Sequence, residues 1–134
     1  MTSRTRANGR IDVNTYEPKP YDKNPDGPDL VEIHVTETFS GDIEGEGLVR
    51  FLQAVRADGS ASFVGIERVI GRVGDRKGSF LLQDAGTLVD TTVKGEWFVI
   101  AGSGTDELAG LRGEGGFTAQ VGEHASITLD YWFE

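Results

Sequence analysis

The side chains with the clearest chemical potential in this sequence of 134 residues are carboxyl groups inside apolar, strand-like runs. In a strand, residues two positions apart face the same side of the sheet. Glu37 therefore shares a face with Phe39, and Glu67 shares a face with Val69. A carboxyl group that is buried without a cation has a raised pKa and can act as an acid or a base near neutral pH. The pattern makes Glu37 and Glu67 candidate catalytic residues.

The arginines of the same runs fall on the opposite faces of their strands. They are Arg50, Arg56, Arg68, Arg72 and Arg112. The alternation therefore predicts an interior with carboxylates and no strand-borne arginine to neutralise them. A structural role is the alternative, in which each glutamate bonds across strands or meets an arginine from the N-terminal segment or a loop.

Further residues share a face with apolar neighbours and are candidates for binding a substrate. They are Phe51, Gln53, Asp84, Trp97 and Tyr131. Trp97 lies two positions from Gly95, where the missing side chain leaves room for a ring to line a pocket. Ordinary core packing is the alternative for Trp97, and a wall position with its hydroxyl in water is the alternative for Tyr131.

The composition excludes several kinds of site. The chain has no cysteine, which removes disulfides, thiolate catalysis and cysteine-based zinc sites. The two histidines, His34 and His124, belong to no triad or ligand cluster. We therefore predict neither a metal ion nor another cofactor.

The charge and hydropathy of the chain limit which partners and which location are expected. A net charge of −9 disfavours nucleic acids and anionic membranes. No run approaches the ~18 apolar residues of a membrane span, and no apolar signal-peptide core follows the basic N-terminus. These features predict a cytoplasmic protein without nucleic-acid or membrane partners.

From Leu30 onward the pattern is that of β-strands separated by short turns. The predicted strands cover residues 30–40, 48–56, 62–73, 78–86, 93–100, 110–119 and 125–133. Such spacing is typical of an antiparallel barrel or a sandwich. Glycines inside several strands favour the closed barrel, because they relieve crowding where a sheet bends.

Two segments interrupt this pattern. Residues 1–29 contain all four prolines and are predicted to form an extended arm outside the barrel domain of residues 30–134. Tyr16 and Tyr21 are its expected anchors, on the barrel wall or on a second subunit. The glycine-rich stretch 101–116 predicts tight turning, with one helical turn from Thr105 to Leu108 capped by Thr105.

The glycine-rich stretch also carries a family resemblance. GSGTDELAGLRG at 102–113 is preceded by WFVI at 97–100 and followed by LDY at 129–131. With these residues the chain, over roughly residues 30–134, resembles an uncharacterised bacterial family of small barrels that is itself similar to the allene oxide cyclase barrel. The resemblance implies an eight-stranded, lipocalin-like barrel with a central cavity, which forms homo-oligomers.

The resemblance also bears on the site. Glu37 and Glu67 fall where the family carries glutamates. The chain departs from the family at Asp84, Ala101 and Asp106, where a histidine, a proline and a glycine are expected. The change at Asp84 argues against a site built around a histidine. Allene oxide cyclases close a ring in an unstable epoxide in an apolar cavity, with a glutamate and ordered water and without a cofactor.

Three functions follow as hypotheses. The first is a cofactor-independent isomerase or cyclase that acts on a small apolar molecule, with Glu37 or Glu67 moving a proton. The second is a non-catalytic carrier of the same kind of molecule. The third is a structural or assembly protein with a packed interior, in which the arm ties subunits together.

Overall fold

The computed structural model describes residues 3–134, which form eight antiparallel strands and one short 3-10 helix. The strands are β1 (Thr5–Asp22), β2 (Asp29–Gly41), β3 (Ile43–Val55), β4 (Ala61–Val73), β5 (Arg76–Val89), β6 (Thr92–Val99), β7 (Leu111–Gln120) and β8 (Ala125–Phe133). The helix η1 (Asp106–Leu108) lies between β6 and β7. Within the described residues, no helix has the length and hydrophobicity that a bilayer span requires.

The strands close into a barrel, as predicted. Each strand pairs with its neighbours in sequence, and β8 pairs with β1. The register is staggered. Starting at Gly78 of β5 and stepping from each residue to its partner on the next strand leads, after one turn of the barrel, to Leu88 of β5 and not back to Gly78. Stagger and strand number together fix the width of a barrel, and eight strands enclose a space that side chains fill or that holds one small ligand. Alternate residues of every strand therefore face one shared interior.

Strand β1 comes from the segment that its prolines predict to be a separate arm. Residues 5–11 pair with β8 and residues 9–22 pair with β2, so the part of β1 after Ile11 pairs with β2 alone. Pro18 and Pro20 lie in this second part, where a strand edge tolerates a residue without an N–H. The barrel therefore includes β1 as its eighth strand. Tyr16 and Tyr21, the expected anchors, are 59% and 57% exposed.

One end of the barrel, which we call the closed end, is sealed by the loop between β6 and β7. Leu108 of η1 is fully buried in the main hydrophobic cluster. The predicted helical turn is present, but the hydroxyl of Thr105 does not cap it. That hydroxyl instead accepts a hydrogen bond of 3.0 Å from the backbone N–H of Ser79 on β5. The glycine-rich loop therefore serves to plug the barrel.

Glycine makes this plug fit. A Cβ at Gly104 would overlap the carbonyl oxygen of Leu108, and a Cβ at Gly78 would overlap the carbonyl oxygen of Thr105. The loop backbone thus approaches β5 more closely than any other residue type allows.

The opposite end, which we call the open end, is less well covered. Inward-facing residues near the closed end, such as Ile43 and Phe80, are 1% exposed. Several inward-facing residues near the open end are only half-buried, namely Phe51, Gln53, Leu88, Val93, Phe117 and Ala119, whereas Ala61 beside them is fully buried. Solvent therefore reaches part of the side-chain layer at the open end.

The two parts of β1 give a test of barrel closure. Ile11 is 5% exposed and packs in the main cluster, whereas Val13, two residues on, is 55% exposed. We expect Ile11→Ala to lower the free energy of unfolding by about 2–5 kcal/mol, because it leaves a cavity in the core. Val13→Ala should change it by no more than about 0.5 kcal/mol. Urea unfolding of both variants measures this, and equally small effects would show that β1 is not part of the barrel.

Candidate functional site

Three buried carboxyl groups lie inside the barrel near the middle of their strands. Glu37 of β2, Glu67 of β4 and Asp84 of β5 are 7%, 1% and 2% exposed. All three face inwards, as the alternation of apolar residues predicts. We call this group the carboxyl cluster. It lies between the packed closed end and the half-buried side chains of the open end.

Gly47 of β3 brings the two glutamates together. It pairs with Glu37, and β3 separates the strands that carry Glu37 and Glu67. A Cβ at Gly47 would overlap Oε2 of Glu67 and lie 3.2 Å from Cγ of Glu37. The two side chains therefore meet above the glycine, in space that a larger residue would fill. Asp84 joins them from β5, where it pairs with Gly65 of β4.

The cluster has no cation to balance it among the described residues. Both carboxyl oxygens of Glu67, and Oδ1 of Asp84, have no hydrogen-bond partner there. The arginines that flank the cluster in sequence face outwards, and Arg72 and Arg112 form surface ion pairs with Glu44 and Glu134. Glu67 therefore has no arginine partner among these residues, whereas the neighbouring carboxyl group of Glu37 interacts with it across the strands. Leaving such groups unpaired costs stability.

Burial is the main cause of the raised pKa values of these carboxyl groups. It raises the pKa of Asp84 to about 8, with a smaller contribution from the charge of Glu37. Burial also raises the pKa of Glu67 well above its ordinary range, and the neighbouring Glu37 and Asp84 add to the rise. The pKa of Glu37 is raised by burial as well, although its contact with Glu67 moderates this rise.

This arrangement supplies both partners of an acid–base pair. Like charges at close range cannot all ionise, so protonated and ionised carboxyl groups coexist and titrate as a unit. The pKa of about 8 keeps Asp84 mainly protonated at neutral pH, so that it can donate a hydrogen bond or a proton. Glu37 and Glu67 interact directly and titrate together, so an ionised member of this pair can accept a proton.

Aromatic rings line the interior between the carboxyl cluster and the open end. Each of these rings faces a glycine on the adjacent strand, in the pairs Phe51–Gly65, Phe63–Gly86 and Phe117–Gly95. A Cβ on any of these glycines would overlap the facing ring. The rings therefore lie against the barrel wall, and the centroids of Phe51 and Phe63 are 5.2 Å apart. This end of the interior is walled by aromatic surface.

Trp97 lies one layer deeper and is 3% exposed. Its indole N–H donates a hydrogen bond of 2.9 Å to the carbonyl oxygen of Thr128. Its ring packs against Phe117 at a centroid distance of 5.1 Å. The room above Gly95, which the sequence offers to Trp97, is taken by Phe117. Trp97 thus packs as a core residue beside the site.

The remaining predicted binding residues separate into two groups. Phe51 and Gln53 face inwards near the open end and are half-buried there. Tyr131 lies towards the closed end, half-buried, with its ring 6.1 Å from that of Phe133. The sequence alone does not single out Gly47, Phe63 and Phe117 as parts of the site. Only the register between strands pairs each ring with its glycine.

The fold and the carboxyl cluster together define a small closed β-barrel with ionisable groups buried at its centre. The chain belongs to the DUF3224 family, whose model, described as "Protein of unknown function (DUF3224)", matches residues 7–131. This confirms the predicted membership of an uncharacterised family of small barrels. The match begins within β1, so the family includes the strand that closes the barrel.

A solved structure agrees with this assignment. The chain is similar to a DUF3224 protein of unknown function from Shewanella oneidensis MR-1, with 31% sequence identity and a TM-score of 0.84. The alignment covers 98% of this chain and 99% of that one. A search of curated proteins found no match.

The raised pKa values predict that the protein becomes less stable as the pH rises. The native state holds protons on buried carboxyl groups that the unfolded chain has released, so the free energy of unfolding falls as pH increases. For Asp84 this fall runs from about 4, the ordinary pKa, to about 8, at about 1.4 kcal/mol per pH unit. Asp84→Asn should reduce the pH dependence of the free energy of unfolding in that range by the amount that corresponds to about one bound proton.

Urea unfolding at a series of pH values measures this slope. The matched control is Asp130→Asn, which removes an exposed carboxylate whose pKa is lowered by its hydrogen bonds to Arg6. That variant should keep the wild-type slope between pH 5 and 8. Stability that is flat in wild type over this range would contradict the burial of ionisable carboxyl groups.

Proposed function

We propose that the barrel binds a small, largely apolar molecule through its open end and that the carboxyl cluster transfers a proton to and from it. The observation that carries this proposal is the buried carboxyl group of Glu67, which has no cation partner among residues 3–134 and lies below aromatic rings and half-buried side chains at one end of the barrel. Apolar surface with a few convergent polar groups is typical of small-molecule sites.

The chemistry of the site supports a particular kind of ligand. Aromatic ring faces favour an apolar body, and protonated carboxyl groups favour an oxygen atom that accepts a hydrogen bond, such as that of a ketone or an epoxide. Gln53 near the open end offers a second polar contact. Net negative charge inside the barrel disfavours anionic ligands.

An isomerisation matches the balance of protons. Glu67 or Asp84 donates a proton to the ligand oxygen or to carbon, and Glu37 removes a proton from another carbon. The proton gained and the proton lost cancel, so the product is an isomer of the substrate and no co-reactant is consumed. A barrel that held the ligand in a reactive conformation would favour ring closure in the same way.

Binding can be tested with the neutral fluorescent probe N-phenyl-1-naphthylamine. Ala119 faces inwards near the open end, whereas its neighbour Thr118 is exposed on the outer wall. Ala119→Phe should fill the entrance and weaken probe binding at least about tenfold, while Thr118→Phe should bind as wild type does. Circular dichroism controls for folding. Absence of probe binding, or equal binding by both variants, would contradict an internal ligand site.

Proton transfer can be tested separately by deuterium exchange at the carbon next to the carbonyl of cyclohexanone, followed by NMR in heavy water. Glu37→Gln and Glu67→Gln should each lower protein-dependent exchange by ~10²-fold or more, because each removes one member of the acid–base pair. Glu96→Gln, on the outer wall, is the control. Probe binding without exchange would favour the carrier over the isomerase.

A further inference from the structure

The outer wall of the barrel has two unlike sides. Outward-facing residues of β7, β8 and residues 5–12 of β1 are mostly polar, and this side carries ion pairs such as Arg6–Asp130 and Arg4–Glu114. The wall formed by β3 and β4, with Phe98 of β6 on the far side of β5, instead exposes large apolar side chains. They are Leu48, Leu52, Val64, Ile66, Ile70 and Phe98, and we call this surface the apolar wall.

Strand register gathers most of the apolar wall on β3 and β4. Leu52 pairs with Val64 across these strands, whereas Gln83 of β5 lies between Ile66 and Phe98. The six apolar side chains are between 46% and 61% exposed. Scattered apolar residues are normal on a protein surface, but a contiguous patch marks an interaction site.

Two arginines stand within the apolar wall without ion-pair partners. Arg50 pairs in register with Ile66, and Arg68 pairs with Leu48. Neither forms a salt bridge to any carboxylate within residues 3–134, although the chain has an excess of acidic residues. Protein interfaces are enriched in arginine and depleted of lysine, and the apolar wall contains no lysine. The expected partner therefore carries apolar residues together with carboxylates.

The chain itself provides such carboxylates at the rim of the apolar wall. Glu32 of β2 pairs with Leu52, and Glu46 of β3 pairs with Ile70. Glu96 of β6 lies at the opposite rim and is exposed. The surface thus combines an apolar centre that contains arginines with an acidic rim. Two copies placed face to face with a small offset would set the rim of each against the arginines of the other.

We infer that the apolar wall is the interface through which two copies of this chain form a homodimer. Charge complementarity favours a second copy, because the apolar wall carries both the arginines and the rim carboxylates that would pair. A two-fold axis then makes each arginine–carboxylate contact twice. The net charge of −9 acts against an anionic lipid surface at the same place. The inference rests on the outer wall alone and does not depend on the proposed internal site.

Analytical ultracentrifugation over a wide range of protein concentrations tests this inference. Wild type should sediment as a dimer, and Ile66→Asp should raise the dimer dissociation constant by at least about thirtyfold, because it places a charge at the centre of the interface. Thr118→Asp, an exposed position on the polar side of the barrel, is the matched control and should remain dimeric. Because Ile66 is exposed, the variant should keep the circular dichroism spectrum of wild type.

A second variant tests the role of charge. Arg68→Ala should also weaken the dimer, and added salt should then weaken it less than it weakens wild type. A wild type that stays monomeric at every concentration would overturn the inference, as would a dimer that Ile66→Asp and Thr118→Asp affect equally. A monomer that floats with phosphatidylcholine vesicles would overturn it in favour of a lipid surface.

Discussion

Closure of the sheet is the constraint on which the rest of this structure depends. The pairing of residues 5–11 of β1 with β8 turns eight strands into a barrel with a single interior. Once the sheet is closed, the period of two along each strand decides which side chains leave water. The burial of Glu37, Glu67 and Asp84 follows from this closure, because their strands have no other way to place the flanking apolar residues inside.

Alternation in the sequence was enough to predict much of the interior. The seven strands after residue 30 and the inward direction of the three carboxyl groups follow from residues two apart facing one side. The first strand could not be predicted in the same way. Its second half carries Pro18 and Pro20 and pairs on one side only, so its composition is that of an extended arm rather than of a central strand.

The packing inside the barrel depends on register, which the sequence does not reveal. Phe117 covers Gly95, and Glu67 reaches over Gly47 towards Glu37. Both contacts exist because the strand register places these residues side by side. A sequence shows the glycines and the large side chains separately. The pairing between strands decides whether a glycine leaves an empty space or is covered by a ring. Gly95 pairs with Phe117, so the ring of Phe117 takes the space above this glycine and Trp97 packs in the core.

The proposed internal site and the proposed dimer interface lie on opposite faces of the same strands. Strand β4 directs Glu67 to the interior and its neighbours Ile66 and Arg68 to the outer wall. An apolar inner face is explained by the barrel itself, whereas an apolar outer face needs a partner. A dimer formed through the side of the barrel leaves the open end accessible to a ligand. Such a dimer also packs against the outer faces of β3 and β4. It thereby stabilises two of the strands that surround the carboxyl groups, whose burial costs stability.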